Sequence, residues 1–276
     1  MLNISEISDI LELRDGVWHS KTKSDISYPD CGNELCFQIE DNSFWFKHRN
    51  NCILELVNNF PPDGEVFDIG GGNGFVAAAL EKKGFRTVLV DPGPVAAKNA
   101  AKRDLPVIIC STLKDSGFKK ESISAIGIFD VLEHIHDDLD FLNQIRYVLK
   151  ENGRIYLSVP AFNFLWSDED RISGHLRRYT ERSVSGLLKS AGFRIEYSSY
   201  YFFCLPIPVL FLKVLPYKLG ILKKENILKN ITKAHQVRHK LIDTIVEKLL
   251  RKELGFIKSG KKISFGGSIL LAATRV

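Results

Sequence analysis

One passage, Glu65-Val66-Phe67-Asp68-Ile69-Gly70-Gly71-Gly72-Asn73-Gly74, constrains this chain more than any other. Its apolar first half reads as a β-strand. The glycines lead straight into a helical pattern over residues 75–83, which Gly84 closes. In a strand, glycine turn and helix of this kind, a phosphate or nucleoside can lie against bare main chain, because glycine permits a tight turn and a close approach. The pattern is Asp-x-Gly-x-Gly-x-Gly, with the acid ahead of the glycines. It is not the Gly-x-Gly-x-x-Gly of many dinucleotide sites. A glycine loop alone also occurs in dehydrogenases and in plain turns, so its surroundings must decide.

Those surroundings alternate strands with helices. Residues 86–90, 106–110, 124–129 and 154–159 read as further strands. Leu139, Leu142, Ile145, Val148 and Leu149 give residues 137–150 a helical period that Asn152-Gly153 ends. Short apolar strands separated by amphipathic helices predict an α/β fold, a doubly wound and mainly parallel sheet covered on both faces. At 276 residues with 45% hydrophobic and 26% charged content, the chain has enough apolar material for a substantial core. Asp91 ends the second strand, 19 residues after Gly72, where a carboxylate can accept both hydroxyls of a bound ribose.

With the Asp68–Gly74 turn and Asp91 in this order, the sequence resembles a class I S-adenosylmethionine-dependent methyltransferase over residues 65–199 and a final strand at 268–274. The resemblance implies a Rossmann-like sheet whose last strand is antiparallel, with S-adenosyl-L-methionine as cofactor. It implies that Asp68 orients the amino group or loop of the methionine part. Gly70, Gly72 and Gly74 would pass beneath methionine and ribose, and Asp91 would bind the ribose. Where many relatives carry an Asp for the adenine amine, this chain has Cys110-Ser111-Thr112, so Ser111, Thr112 or a backbone carbonyl takes that place. Phe129-Asp130-Val131-Leu132-Glu133-His134 is similar to the branch that includes quinone-pathway O-methyltransferases. Asp130 is then a cofactor-side carboxylate or a helix N-cap, and His134 a catalytic imidazole or a packed core one.

The segment from Leu165-Trp166-Ser167 through Asp168 or Asp170 to Gly174-His175-Leu176-Arg177-Arg178-Tyr179 resembles a bacterial methyltransferase subgroup with acceptors tied to cell-surface glycans or lipids. On that reading Trp166, Arg177, Arg178 and Tyr179 bind the acceptor. His175 removes a proton from its hydroxyl, and the arginines clamp a carboxylate or phosphate. The alternative is that the arginines pair with Asp168, Glu169 and Asp170 to fasten the loop.

Two segments lie outside this frame. Residues 1–60 read as a helical extension or lid before a methyltransferase domain at 61–276, with Ile4, Ile7, Leu11 and Arg14 at helical spacing. Phe44-Trp45-Phe46 there, with Lys47, His48 and Arg49, reads as a lid folded over the crevice or as a hydrophobic helix packed on the sheet. Residues 201–264 read as a helical insertion before the last strand. The net charge of +5 conceals an uneven distribution, with fourteen Lys or Arg against four Asp or Glu in residues 213–262. Aromatic and aliphatic residues beside lysines suit membrane-surface contact through residues 200–240, or else a cap over the pocket. No nucleic-acid motif accompanies the basic stretch. The five scattered cysteines predict free thiols and no metal site. The acidic first fifteen residues predict a cytoplasmic protein, peripheral to the inner face of the membrane. The functions to be weighed are methyl transfer to a small-molecule, glycan or lipid-linked acceptor, a non-catalytic nucleoside-binding adaptor at the membrane, and an NAD-dependent dehydrogenase.

Overall fold

The computed structural model describes residues 3–22, 30–220 and 240–276. Among them the strands are β1 (Leu11–Arg14), β2 (Val17–Ser20), β3 (Val66–Ile69), β4 (Thr87–Val90), β5 (Ile108–Cys110), β6 (Ile123–Phe129), β7 (Leu149–Pro160), β8 (Phe193–Tyr201) and β9 (Ser268–Arg275). They form one sheet in the order β1-β2-β5-β4-β3-β6-β7-β9-β8. Strands β5, β4, β3, β6 and β7 are parallel, and β9 runs antiparallel between β7 and β8. The chain winds from β3 through β4 to β5, then crosses back to β6. The order therefore reverses between β3 and β6, and a crevice opens there at the carboxyl ends of the strands.

Helices cover both faces, so the central strands read as unbroken apolar runs; every residue of β3 and β4 is buried. One core gathers Ile126, Ile128, Leu142, Ile145 and Leu188. The other packs Val66, Leu80, Ala125 and Tyr156 against Ile53 and Leu56 of the helix Phe44–Asn59 and Leu250 and Ile257 of the helix Lys240–Lys258. Each such side chain contributes about 1.5–3 kcal/mol by leaving water. Glu253 fastens the second of these helices. Fully buried, it accepts the Phe202 and Phe203 amides at 2.7 Å each and meets His48 Nε2 at 2.6 Å.

The N-terminal residues depart from the expected helix. Only Ile4–Ile7 is helical, while Leu11–Arg14 and Val17–Ser20 form a hairpin that extends the sheet beside β5. Asp15 and Gly16 take φ of 50° and 80°, the left-handed pair of a tight hairpin turn, and this outweighs the helical spacing of Leu11 and Arg14. The aromatic cluster lies inside the helix Phe44–Asn59, and Asp30–Ile39 forms a further helix before it. In the insertion, Pro206–Val209, Leu210–Val214 (a π-turn) and Leu215–Lys218 form one continuous helical segment. Lys223, Lys224, Lys229 and Lys233, central to the basic reading, lie outside the described residues. No helix among the described residues is long and apolar enough to cross a membrane.

Candidate active site

The glycine turn sits at the switch point with the expected backbone. Gly70 and Gly72 have φ of 69° and 55°, a region that L side chains rarely adopt. A Cβ at Gly71 would come within 2.4 Å of Leu89 Cδ1 and 2.5 Å of Asp68 Oδ2, whereas at Gly72 the nearest side-chain atom lies 3.9 Å away. Gly72 therefore presents bare backbone to open space. Gly74 does not: a Cβ there would press on Leu105 and Ala100, so this glycine seats the helix Phe75–Lys82 and is not part of the cradle.

Asp91 stands beside the turn at the end of β4. Its two oxygens accept the amides of Gly72 and Gly93 at 2.8 Å each. Burial pushes its carboxyl up to about 6, against the pull of those amides. Asp68, at the end of β3, is fully buried, and neither of its oxygens makes a hydrogen bond of ordinary geometry among the described residues. Burial, only partly offset by the nearby Arg49 guanidinium, lifts it to about 7. A carboxyl left in this condition at a cavity wall is suited to a cationic donor such as an ammonium group.

Arg49 has a defined place at the site, beyond its membership of the cluster read as a lid over the crevice. It comes from the helix Phe44–Asn59 and donates through Nε to Asp130 Oδ2 at 2.5 Å and through its terminal nitrogen to the Phe129 carbonyl at 2.8 Å. Ser158 Oγ donates to the other Asp130 oxygen at 2.9 Å. Asp130, with φ of 57°, lines the cavity, but its carboxylate is already committed. Asn73 of the turn donates to the Asn33 carbonyl and to Glu40, and Arg103 bridges Glu40 and Asp41. The helix Asp30–Ile39 is thereby tied over the turn. Trp45 stacks on Phe202 at 5.3 Å, and Phe44, Trp45 and Phe46 also line the cavity, so this face both packs and encloses.

On the opposite side the loop after β7 brings His175 to His134. The Leu176 amide donates to the Glu133 carbonyl at 2.8 Å, and the two imidazoles meet edge to face at 4.8 Å. His175 Nδ1 lies 2.8 Å from Asp170 Oδ1, which fixes the ring and turns Nε2 toward the cavity wall, 3.9 Å from Glu133 Oε1. Burial opposes the Asp170 charge, but hydrogen bonds from His175 and Arg178 outweigh it and hold that carboxyl down at about 2. Burial and the neighbouring His175 pull His134 down to about 4. Glu133 is fully buried, its oxygens lack hydrogen-bond partners among the described residues, and burial pushes its carboxyl well above the usual range. Glu133, His134 and His175 hold ligand atoms within 4.8 Å of one another, a donor set that can accept a divalent cation. His48, Cys52 and Glu253 form a second such group, but the Glu253 oxygens are committed to backbone amides.

Several expected acceptor residues lie elsewhere. Arg177 donates to Asp138 at 2.7 Å and to the His136 carbonyl. Tyr179, buried, donates to the same Asp138 at 3.0 Å. Both fasten the loop, and neither lines the cavity; nor does Trp166. Arg178 does line it, with Nε and a terminal nitrogen on the two Asp170 oxygens at 2.8 and 3.0 Å. Thr112 and Ser111, the residues expected to meet the adenine, line the cavity, although the Thr112 hydroxyl is paired with Asp115 at 2.9 Å. Turn, carboxylates and histidines share one cavity of about 740 Å³, within the range of sites that hold small ligands.

The comparisons with known proteins agree with this geometry. A family model described as a methyltransferase domain matches residues 45–198, more than half of the chain. A probable S-adenosylmethionine-dependent methyltransferase of Mycolicibacterium smegmatis is 22% identical over 61% of this chain and 66% of its own length. The mitochondrial ubiquinone biosynthesis O-methyltransferase of Schizosaccharomyces pombe is 26% identical over 37% of this chain and 39% of its own length. The chain thus spans less than two thirds of the curated relatives it matches. Two solved structures share the fold. One is Haemonchus contortus phosphoethanolamine N-methyltransferase 2 in complex with phosphomonomethylethanolamine and S-adenosylhomocysteine (17% identity, 90% of this chain, 58% of that one, TM-score 0.56). The other is a Thermotoga maritima S-adenosylmethionine-dependent methyltransferase described as a possible histamine N-methyltransferase (16% identity, 89% and 96%, TM-score 0.54). With a domain match that begins at the helix carrying Arg49 and runs through both carboxylate-tipped strands, the chain belongs to the methyltransferase-domain family of S-adenosylmethionine-dependent enzymes.

Proposed function

We propose that this protein transfers a methyl group from S-adenosylmethionine to a hydroxyl oxygen of a small acceptor, glycan-like or lipid-linked. The observation that carries the reading is the union, in one cavity, of an open glycine turn, two buried carboxyls at adjoining strand ends and an imidazole at the cavity wall. The residues fit the cofactor. Asp68 makes no hydrogen bond of ordinary geometry among the described residues and suits the ammonium of the methionine part. Asp91 has one acceptor site left on each oxygen after its two amide bonds, which matches two ribose hydroxyls. Ser111 and Thr112 line the region for adenine. When bound, the cofactor supplies a methyl group already activated on a positively charged sulfur.

The chain's own residues then position and protect. Phe44, Trp45, Phe46 and Leu205 give the cavity an apolar wall, and alignment with water exclusion accounts for much of the rate in transfers of this kind. His175 accepts the proton of the acceptor hydroxyl at Nε2, while Asp170 steadies the ring through Nδ1. Arg178 is held by Asp170 and faces the acceptor end as the remaining candidate for an anionic group there. Likeness to a ubiquinone biosynthesis O-methyltransferase supports oxygen as the methylated atom.

Calorimetry with S-adenosylhomocysteine and with NAD tests the cofactor, and tight NAD binding without nucleoside-sulfur binding would overturn the reading. Incubation with radiolabelled S-adenosylmethionine and hydroxylated lipid and glycan extracts separates enzyme from adaptor. An enzyme transfers label to an extract component and His175→Ala slows the transfer, whereas an adaptor binds the cofactor and transfers nothing.

A further inference from the structure

The helical segment 206–218 has two unlike sides. Inward, Pro206 and Val214 are buried, and Pro206, Val209 and Lys213 line the cavity. Lys213 Nζ reaches both Glu169 oxygens, at 2.7 and 2.9 Å, and so lashes the segment to the helix Asp168–Ile172 at the cavity wall. Outward, Ile207, Phe211, Leu212 and Leu219 are each 61–73% exposed, with Leu215 beside them. At helical spacing these residues share one face, and the exposed charge within this stretch is Lys218. A soluble surface rarely leaves so many large apolar side chains together without a purpose.

A second exposed group lies at the same end of the sheet. Phe162, which follows β7, contacts Phe164 at 5.2 Å and Phe265, just before β9, at 5.3 Å, and Phe164 and Phe265 are both exposed. Strands β7 and β9 pair there through Pro160 and Ser268, and Ser268 lines the cavity. Apolar side chains therefore flank the site on two elements. In sequence, Lys218 is followed over residues 221–240 by Lys223, Lys224, Lys229, Lys233, Arg238 and Lys240 against Glu225 alone. An apolar helix face continued by a basic stretch suits one partner above others: the headgroup boundary of an anionic bilayer, where aliphatic and aromatic side chains enter the acyl edge and lysines meet phosphate.

We propose that residues 206–219 dock the protein on an anionic lipid surface, with the cavity opening beside that surface. The docking is independent of the methyl-transfer reading; only its use, delivery of a lipid-linked acceptor to the adjoining cavity, rests on that reading.

Flotation of the purified full chain with phosphatidylcholine vesicles, with and without phosphatidylglycerol, tests it. The expected result is recovery with the anionic vesicles, several-fold less with phosphatidylcholine alone, and at least a tenfold loss in Phe211→Ser/Leu212→Ser. Tyr147→Ser, an exposed aromatic on the helix Asp138–Val148, serves as control and floats like the parent. Melting temperature and S-adenosylhomocysteine affinity are measured on every variant, so misfolding and loss of the cofactor site register separately from loss of docking. Leu219→Asp provides a second variant should the first melt early. Absence of recovery with anionic vesicles overturns the proposal, as does flotation of both variants at the level of the parent. So does a concentration-dependent dimer that the same substitutions dissolve, because the face would then belong to a second copy.

Discussion

The ribose role of Asp91 can be isolated from its structural role. In the free protein each Asp91 oxygen accepts one amide, from Gly72 or Gly93, at 2.8 Å. A carboxylate offers about four acceptor sites, so one remains on each oxygen, matching the two ribose hydroxyls. Asp91→Ala removes both sets of bonds. The ligand-facing set is worth about 1–3 kcal/mol, because hydrogen bonds to a charged acceptor are the stronger kind and water refills the space partly, which is roughly 5- to 150-fold in Kd. Loosening of the turn adds a loss that has nothing to do with ribose. A double-mutant cycle removes that second part. Calorimetry compares parent and Asp91→Ala with S-adenosylhomocysteine and with its 2′,3′-dideoxy analogue. The parent should lose most of its affinity with the dideoxy ligand, and the variant should bind both ligands alike. Should the dideoxy substitution cost the same in both proteins, the carboxylate does not hold the diol, and the reasoning from strand position to ribose fails.

The buried acids also predict a pH profile. Asp68 sits at about 7 in the fold against an ordinary 3.8, so between about pH 4 and 7 the native state keeps a proton that the unfolded chain has released, and stability falls as pH rises. Asp68→Asn should therefore melt above the parent at pH 8 in the absence of ligand, by on the order of 2–4 kcal/mol, with the gain fading toward pH 4; a constant difference across that range, in thermal or urea unfolding, would contradict the assignment. Glu253→Gln leaves one acceptor oxygen and adds an amino group where the Phe202 and Phe203 amides and His48 converge, so urea denaturation should show a loss of about 1–3 kcal/mol for an unsatisfied buried donor.

The parts of this molecule legible from sequence are those set by neighbours along the chain. The strand before Gly70, the turn, and Asp91 at the next strand end all rest on local period and glycine chemistry, and they lie where expected. The hairpin at residues 11–20 was equally local, but its Asp15-Gly16 turn was outvoted by a helical spacing of apolar residues. What stayed hidden depends on distant partners. Arg49 joins the site only because its helix packs near β6, 81 positions from Asp130. Arg177 and Arg178 are adjacent and chemically equal in the sequence, yet one meets Asp138 outside the cavity and the other Asp170 within it. Glu133 carries no local signal in the sequence, and what marks it is complete burial with no hydrogen bond to its oxygens among the described residues.

The charges around the cavity bear on which nucleoside it takes. Among the described residues every Arg or Lys lining it is already paired: Arg49 with Asp130, Arg178 with Asp170 and Lys213 with Glu169. Three further carboxyls, of Asp68, Asp91 and Glu133, are buried at its wall without an Arg or Lys ion pair among the described residues, and burial raises all three. A dinucleotide would bring a pyrophosphate beside these carboxyls with the lining cations among the described residues already paired, and any of the acids that ionised there would repel it in a poorly solvated space. A nucleoside carrying a sulfonium and an ammonium against a single carboxylate brings net positive charge instead, which lets the buried acids ionise at lower cost. The same field that destabilises the empty protein as pH rises therefore favours the cationic cofactor over NAD. It also predicts that binding near pH 6–7 releases protons, which calorimetry in buffers of different ionisation enthalpy reads directly.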